Sequence, residues 1–292
     1  MKVAIIGPGA LGCLLAASLT IKLDKQNKTI PTLELWLLDY KEERARYLRE
    51  HGLILEEGKQ KKTCRVKATT DPEKIGPVDI IILCVKSTQV AATLQQTAKL
   101  VHADTLLVTL QNGIGHLKLL KNVQKLPSIV LGVTAQGANM VAPGHVRHAG
   151  DGLTRIGFPK SASFTKSFLL AKVCNLLNYG GIETVIVDNI LDYVWSKLLI
   201  NVGINALTAI HRCPNGELLE SAAIREKLSL AVREGEAVAQ ALGINLAGDP
   251  LARRLAEGRR HVGSRLCGQY CCGGIRRQWN SRMVEHGFPA QT

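Results

Sequence analysis

The chain has 292 residues, 46% hydrophobic and 21% charged, which excludes a disordered chain, a collagen-like repeat and a small disulfide scaffold. That length supplies a core for one large domain or two ordinary ones. The formal net charge is +13, and residues 251–292 hold eight Arg against two Glu. Such an excess suits an anionic ligand, a phosphorylated cofactor or a carboxylate substrate. Only 4% of residues are aromatic, so stacking platforms for bases are scarce and no nucleic-acid partner is expected. The early apolar run Ala10 to Ile21 is interrupted, no run is expected to span a membrane, and no signal-peptide pattern is seen. The protein is expected to be soluble and cytoplasmic.

Residues 2–12 form a short β-branched run ending in Gly7, Gly9 and Gly12, and Leu14 to Leu23 continues with helical, alanine-rich periodicity. This is G-x-G-x-x-G in its required strand-to-helix setting. Gly7 permits the tight turn, Gly9 lets backbone approach a pyrophosphate, and Gly12 lets helix pack on strand. The whole turn, Gly7, Pro8, Gly9, Ala10, Leu11 and Gly12, is the candidate phosphate cradle at a helix N-terminus.

The second strand, Leu33 to Leu38, ends at Asp39, 27 positions after Gly12, with the polar stretch Asp24 to Thr32 read as a loop insertion. Three roles are open to this strand end. Asp39 accepts the ribose 2′-hydroxyl of NAD; Lys41, Arg44 or Arg46 holds the 2′-phosphate of NADP; or Asp39 caps the helix Lys41 to His51. Two continuous apolar runs follow, Val78 to Val85 and Thr105 to Leu110, as expected for strands buried on both faces. Lys86 and Asn112 stand at their carboxyl ends, where open α/β sheets bind ligands. A short helix from Ile114, a strand Ile129 to Thr134 and a β-meander over Gly137 to Gly157 complete the first domain, with Pro143-Gly144 and Asp151-Gly152 as turns. The domain boundary is set at 170/171.

Residues 190–210 read as a long apolar helix, expected to be buried nearly all round. Lys197, Asn201 and Asn205 fall at i, i+4 and i+8, on one face that drifts by about 40° per step. A lysine and two amides in such a setting need polar partners, and a ligand cavity supplies them. Hydride addition to a ketone leaves an alkoxide, and an ammonium polarises the carbonyl and protonates the product. The pattern points to reduction of a small polar keto acid.

The glycine turn, the segment Leu110-Gln111-Asn112-Gly113-Ile114-Gly115, the block Trp195 to Ile210 and the continuation Cys213 to Leu218 resemble ketopantoate reductase over residues 1–245. The resemblance implies a Rossmann-type doubly wound parallel sheet followed by a mainly α-helical domain, with the active site in the cleft between them. It implies NADPH-dependent reduction of 2-dehydropantoate to pantoate, a step of pantothenate and coenzyme A synthesis. By position Lys197 is the proton donor, Asn201, Asn205 and Asn215 bind substrate, Asn112 serves nicotinamide and substrate, and Lys86 and Ala138 contact the cofactor. Where the family often carries an arginine for the 2′-phosphate this chain has Asp39, so NADH stays open beside NADPH. A homodimer is the expected assembly.

No pair of the eight cysteines has C-x-x-C spacing, so free thiols are expected and no metal. The tail departs from the family. Residues 258–284 contain no acid, six Arg and three Cys, and the family's substrate-contacting serine and glutamate segment are not recognisable. Ser264, Ser281 and Glu285 receive no role. Three accounts stand: out-of-frame translation or a mispredicted gene end, which the abrupt change near residue 251 favours; a divergent segment with its own ligand; or family helices in altered sequence. The first leaves two alternatives to the main reading, a catalytically impaired NADP(H)-binding homologue and a reductase of another small 2-keto acid.

Overall fold

The computed structural model describes residues 1–25, 33–121, 128–159, 164–213, 215 and 217–248. The divergent tail, 251–292, lies outside them, as do the loop 26–32 and the cysteines Cys267, Cys271 and Cys272. In chain order the elements are β1 (Lys2–Ile6), α1 (Ala10–Lys25), β2 (Glu34–Leu38), α2 (Glu42–His51), β3 (Leu53–Glu57), β4 (Gln60–Cys64), β5 (Lys67–Thr69) and α3 (Pro72–Ile75). There follow β6 (Ile80–Leu83), α4 (Val90–Thr97), β7 (Leu106–Thr109), α5 (Gly115–Lys121), β8 (Ser128–Thr134), β9 (Gly137–Ala142), β10 (His145–Gly150) and β11 (Thr154–Gly157). The last are α6 (Phe164–Tyr179), β12 (Thr184–Ile186), α7 (Ile190–His211) and α8 (Ala222–Ala241).

An eight-stranded sheet runs β12-β11-β8-β7-β6-β1-β2-β5. It is parallel throughout except where β11 meets β8 antiparallel. Side chains alternate across it. Val3, Ile5, Ile80, Ile82, Leu106 and Val108 enter one core; Ala4, Ile6, Ile81, Leu83 and Leu107 enter the other. Both faces are therefore apolar, which is why these strands read as unbroken hydrophobic runs. The first core is closed by α1 and α6, through residues such as Leu14, Leu15, Val173 and Leu177, and the second by α4 with Val90 and Leu94.

A four-stranded sheet, β4-β3-β10-β9, adds a further layer over α1. Leu53, Leu55 and Val146 from it enter the same core as α1, so that helix is buried on both sides; Leu14, Leu15, Ala16 and Ala17 have no exposed surface. The expected meander over Gly137 to Gly157 is corrected here. β9 and β10 do form the hairpin around Pro143-Gly144, but β11 leaves it and pairs with β8 and β12 in the large sheet. Turn residues mark where a chain reverses and carry no information on which sheet it then joins.

Two compact units divide inside α7: Met1–Val194, and Trp195 onward. The first extends past residue 170 because α6 packs on α1 and β12 extends the large sheet. In the second unit α8 packs on α7, where Gly203 faces Leu228 and Val232, and Gly235 faces Leu199.

Ile82 lies fully buried in the central strand β6. Ile82→Ala is expected to lower unfolding free energy by about 2–5 kcal/mol, measured by urea denaturation.

Candidate active site

The glycine turn leaves β1 beside the end of β6. Gly7 has φ +91°, and a Cβ there would sit 2.6 Å from Val85 Cγ1 and 2.9 Å from Val85 N. A Cβ on Gly12 would fall 2.3 Å from the Gly7 carbonyl oxygen, while one on Gly9 meets nothing within 4 Å. Gly7 and Gly12 are thus required by contact inside the protein. Gly9 is not; it borders open space at the start of α1, a cradle that any side chain would fill. That arrangement fits a pyrophosphate held by backbone N–H groups at a helix N-terminus.

At the end of β2, Asp39 is buried and committed to its own chain. Oδ1 accepts from Tyr40 N at 2.7 Å, Lys41 N at 3.1 Å and Arg44 Nη2 at 2.6 Å, and Oδ2 accepts from Arg44 Nε. The capping role is corrected: Lys41 is the N-cap of α2, without a side-chain cap, and Asp39 instead closes the turn before it. Arg44 also lies 5.3 Å from the centre of the exposed Tyr40 ring, and its hydrogen bond to Asp39 raises its pKa. Hydrogen bonding with Gln89, from the turn after β6, lowers the Tyr40 phenol. An ionised carboxylate has about four acceptor positions. Three donors of this chain fall on Oδ1 and one on Oδ2, and the side chain has no exposed surface.

Lys86 and Asn112 stand exposed just beyond the ends of β6 and β7, on the same side of the sheet as the glycine turn. Ala138 lies on β9, in register with His148 of β10. Its neighbour Gln136 is bonded through Oε1 to His148 Nε2 at 2.6 Å and through Nε2 to the Gly152 carbonyl at 2.7 Å, which fixes the link between the two sheets. The structure therefore gathers Gly7 to Gly12, Asp39, Lys86 and Asn112 along the carboxyl edge of the large sheet. A cavity of about 690 Å³ opens at the opposite edge, between Met1, Ile80, Leu106 and Tyr179, away from these residues.

In the second unit Lys197, Asn201 and Asn205 follow one another on α7, each half-buried. Burial of that helix is one-sided, a correction to the all-round burial expected. Trp195, Leu199 and Ile204 are buried, Leu199 against α8, while Val202 and Ile210 are exposed. Among the described residues α7 is the one helix long and apolar enough to cross a membrane by length and composition alone. Core helices of soluble proteins reach the same values. Asn215 is half-buried, and its Oδ1 has no hydrogen-bond partner among the described residues.

Comparison with known proteins bears on this pairing of a glycine cradle with a lysine–asparagine row. The family model for ketopantoate reductase PanE/ApbA matches residues 3–161, and that for its C-terminal part matches 189–266. This chain belongs to the ketopantoate reductase family. The 2-dehydropantoate 2-reductase of Halobacterium salinarum is 32% identical over 266 residues, 91% of this chain and 82% of that one. The Pyrococcus horikoshii 2-dehydropantoate 2-reductase is 30% identical over 275 residues, 91% of this chain and 83% of its own. A ketopantoate reductase crystal structure from Ralstonia eutropha superposes with TM-score 0.77 at 27% identity, covering 99% of this chain and 93% of that one. A D-mandelate dehydrogenase complexed with NADH and anilino(oxo)acetate shares the fold, with TM-score 0.79 at 23% identity over 99% of this chain and 93% of that one. The chain is thus an oxidoreductase of the ketopantoate reductase family, with a Rossmann-type fold and a helical second part. The C-terminal match runs to 266, so family-like sequence continues past both the 245 limit read from motifs and the change of composition near 251.

The cradle gives a direct test. Gly12→Ala is expected to cost about 2 kcal/mol or more, because the added methyl meets backbone. Gly9→Ala is expected to change stability by less than about 0.5 kcal/mol. Thermal melts of the two variants check the contrast.

Proposed function

We propose that the protein reduces 2-dehydropantoate to pantoate with NADPH, in the cytoplasmic synthesis of pantothenate and coenzyme A. The observation that carries this reading is the Lys197, Asn201 and Asn205 row on α7 in a chain of this family. Gly7 to Gly12 hold the pyrophosphate by backbone, and Lys86, Asn112 and Ala138 contact the cofactor. NADPH, when bound, supplies a hydride to the C2 carbonyl carbon. The Lys197 ammonium polarises the carbonyl oxygen and then gives up one proton to the alkoxide. Asn201, Asn205 and Asn215 orient the substrate's carboxylate and hydroxyl by hydrogen bonds, and the Asn215 Oδ1, without a partner among the described residues, supports that role. A homodimer is the assembly carried with this reading, on family grounds.

The preference for NADPH rests on Asp39 and Arg44. The Asp39 side chain has no exposed surface and is paired with Arg44, so its charge is offset at a 2′-phosphate and its oxygens are not open to a 2′-hydroxyl. Arg44 and Lys41 beside the exposed Tyr40 ring present cationic donors instead. Asp39 then serves the cofactor by fixing Arg44.

The deciding experiment is nucleotide oxidation by the purified protein with 2-dehydropantoate, NADPH and NADH run in parallel, beside a panel of other small 2-keto acids. Turnover of 2-dehydropantoate with NADPH is the expected result. Turnover of another keto acid alone would replace the substrate, and NADPH binding without oxidation would make the chain an impaired homologue. Lys197→Ala is expected to lower kcat by about 10²–10⁴-fold with the NADPH dissociation constant little changed. Arg44→Gln is expected to raise KM for NADPH by about tenfold and to lower the melting temperature, because it leaves Asp39 buried without its cation.

A further inference from the structure

The backbone ladder between β6 and β7 ends at the pair Leu83 and Thr109. Beyond it a side-chain chain takes over. Gln111 Nε2 donates to the Val85 carbonyl at 2.9 Å. Its Oε1 is therefore left as the acceptor, and takes the Thr109 hydroxyl proton at 2.6 Å. Thr109 Oγ1, its proton spent, accepts from His116 Nε2 at 3.1 Å. One end of the chain thus fixes every donor and the tautomer of the histidine. His116 is 3% exposed, and its Nδ1 has no partner among the described residues. Burial lowers its pKa and so favours the neutral ring, with the Nε2–H that this chain uses.

The place of this chain gives it a task. Val85 precedes Lys86, and Gln111 precedes Asn112. Val85 is also the residue against which Gly7 is packed, so the same carbonyl-bearing residue touches the phosphate cradle on one side and Gln111 on the other. A Cβ at Gly7 has no room there, so Val85 has little freedom to move without disturbing the cradle. His116, from α5, therefore stands at the far end of the side-chain link between the segments after β6 and β7, while Cys84 N donates to the Ile6 carbonyl at 2.8 Å and ties the first of these segments to the glycine turn.

We infer that His116 is a positioning residue for cofactor binding, acting through Thr109 and Gln111 to hold Lys86 and Asn112 beside the glycine turn. The inference rests on the nicotinamide-binding reading above, and wild-type NADPH binding, measured first by nucleotide fluorescence, tests that reading separately. His116→Phe keeps the ring volume and removes the donor; Thr109→Val removes the link with the same shape. Each is expected to weaken NADPH binding by about tenfold, the effect of breaking a buried hydrogen-bond chain, with the loss in the dissociation constant exceeding that in kcat. The double variant is expected to be no weaker than either single one, because the chain acts as a unit. His116→Gln, which retains a donor, is expected to recover binding to within about threefold of wild type. If NADPH binds wild type while His116→Phe and Thr109→Val bind it equally well, the inference is overturned and the function stands. Losses that multiply in the double variant, or a glutamine variant no better than phenylalanine, also overturn it. Should His116→Phe fail to fold, Thr109→Val alone decides, by the same comparison with wild type.

Discussion

Two missing side chains govern the architecture. The first turn must bring its backbone against the end of β6 and start a helix in the same few residues. A single carbon added at Gly7 or Gly12 would lie within 2.6 Å of its neighbours. With those positions bare, α1 drops close to the sheet and can be enclosed on its far side by the four-stranded sheet. Alanines 16 and 17 continue the same economy of volume along the helix. The open edge at Gly9 is what remains of the turn after its packing obligations are met. The open backbone N–H groups proposed to hold a phosphate are thus a by-product of how a helix is made to start on a strand.

Charge follows a similar division. The chain is strongly basic, yet Arg44, at the carboxyl edge of the large sheet, is tied to a buried carboxylate, and the ion pair holds a guanidinium rather than cancelling it. Such a pair is expensive to bury and is kept where fixed geometry matters more than its net energy. The same reasoning applies to the neutral chain from His116 to Val85. In both places polar groups are spent on orienting loops at strand ends, while the strands themselves need only apolar residues in alternation.

Much of this was legible in the sequence, and the limits have physical causes. β1, β6 and β7 announce themselves because both of their faces are buried, and the glycine spacing is imposed by steric contact. The lysine–asparagine row is legible because helical periodicity puts it on one face. β3 and β4 gave no such signal, since Gln60 to Cys64 is largely exposed and mixed in character. The partner of β11 could not be read, because strand pairing is a long-range choice. Asp39 was visible as an acid at a strand end, but whether its oxygens were free for a ribose depended on Arg44 reaching back one helical turn. A lone histidine in a seven-residue helix carries no spacing at all; only its bond to Thr109 distinguishes it.

The small sheet is assembled from two hairpins far apart in the chain, β3 with β4 and β9 with β10, joined by the parallel pairing of β10 to β3. Its job is to cover α1. As the chain is synthesised, then, the most apolar helix of the first unit emerges within the first 25 residues but gains its complete cover only after residue 150 has followed. Contacts of that sequence separation form late and slowly. Over that long interval of synthesis the nascent protein presents an uncovered, alanine- and leucine-rich helix to its surroundings, which makes this segment one on which a chaperone has much to act.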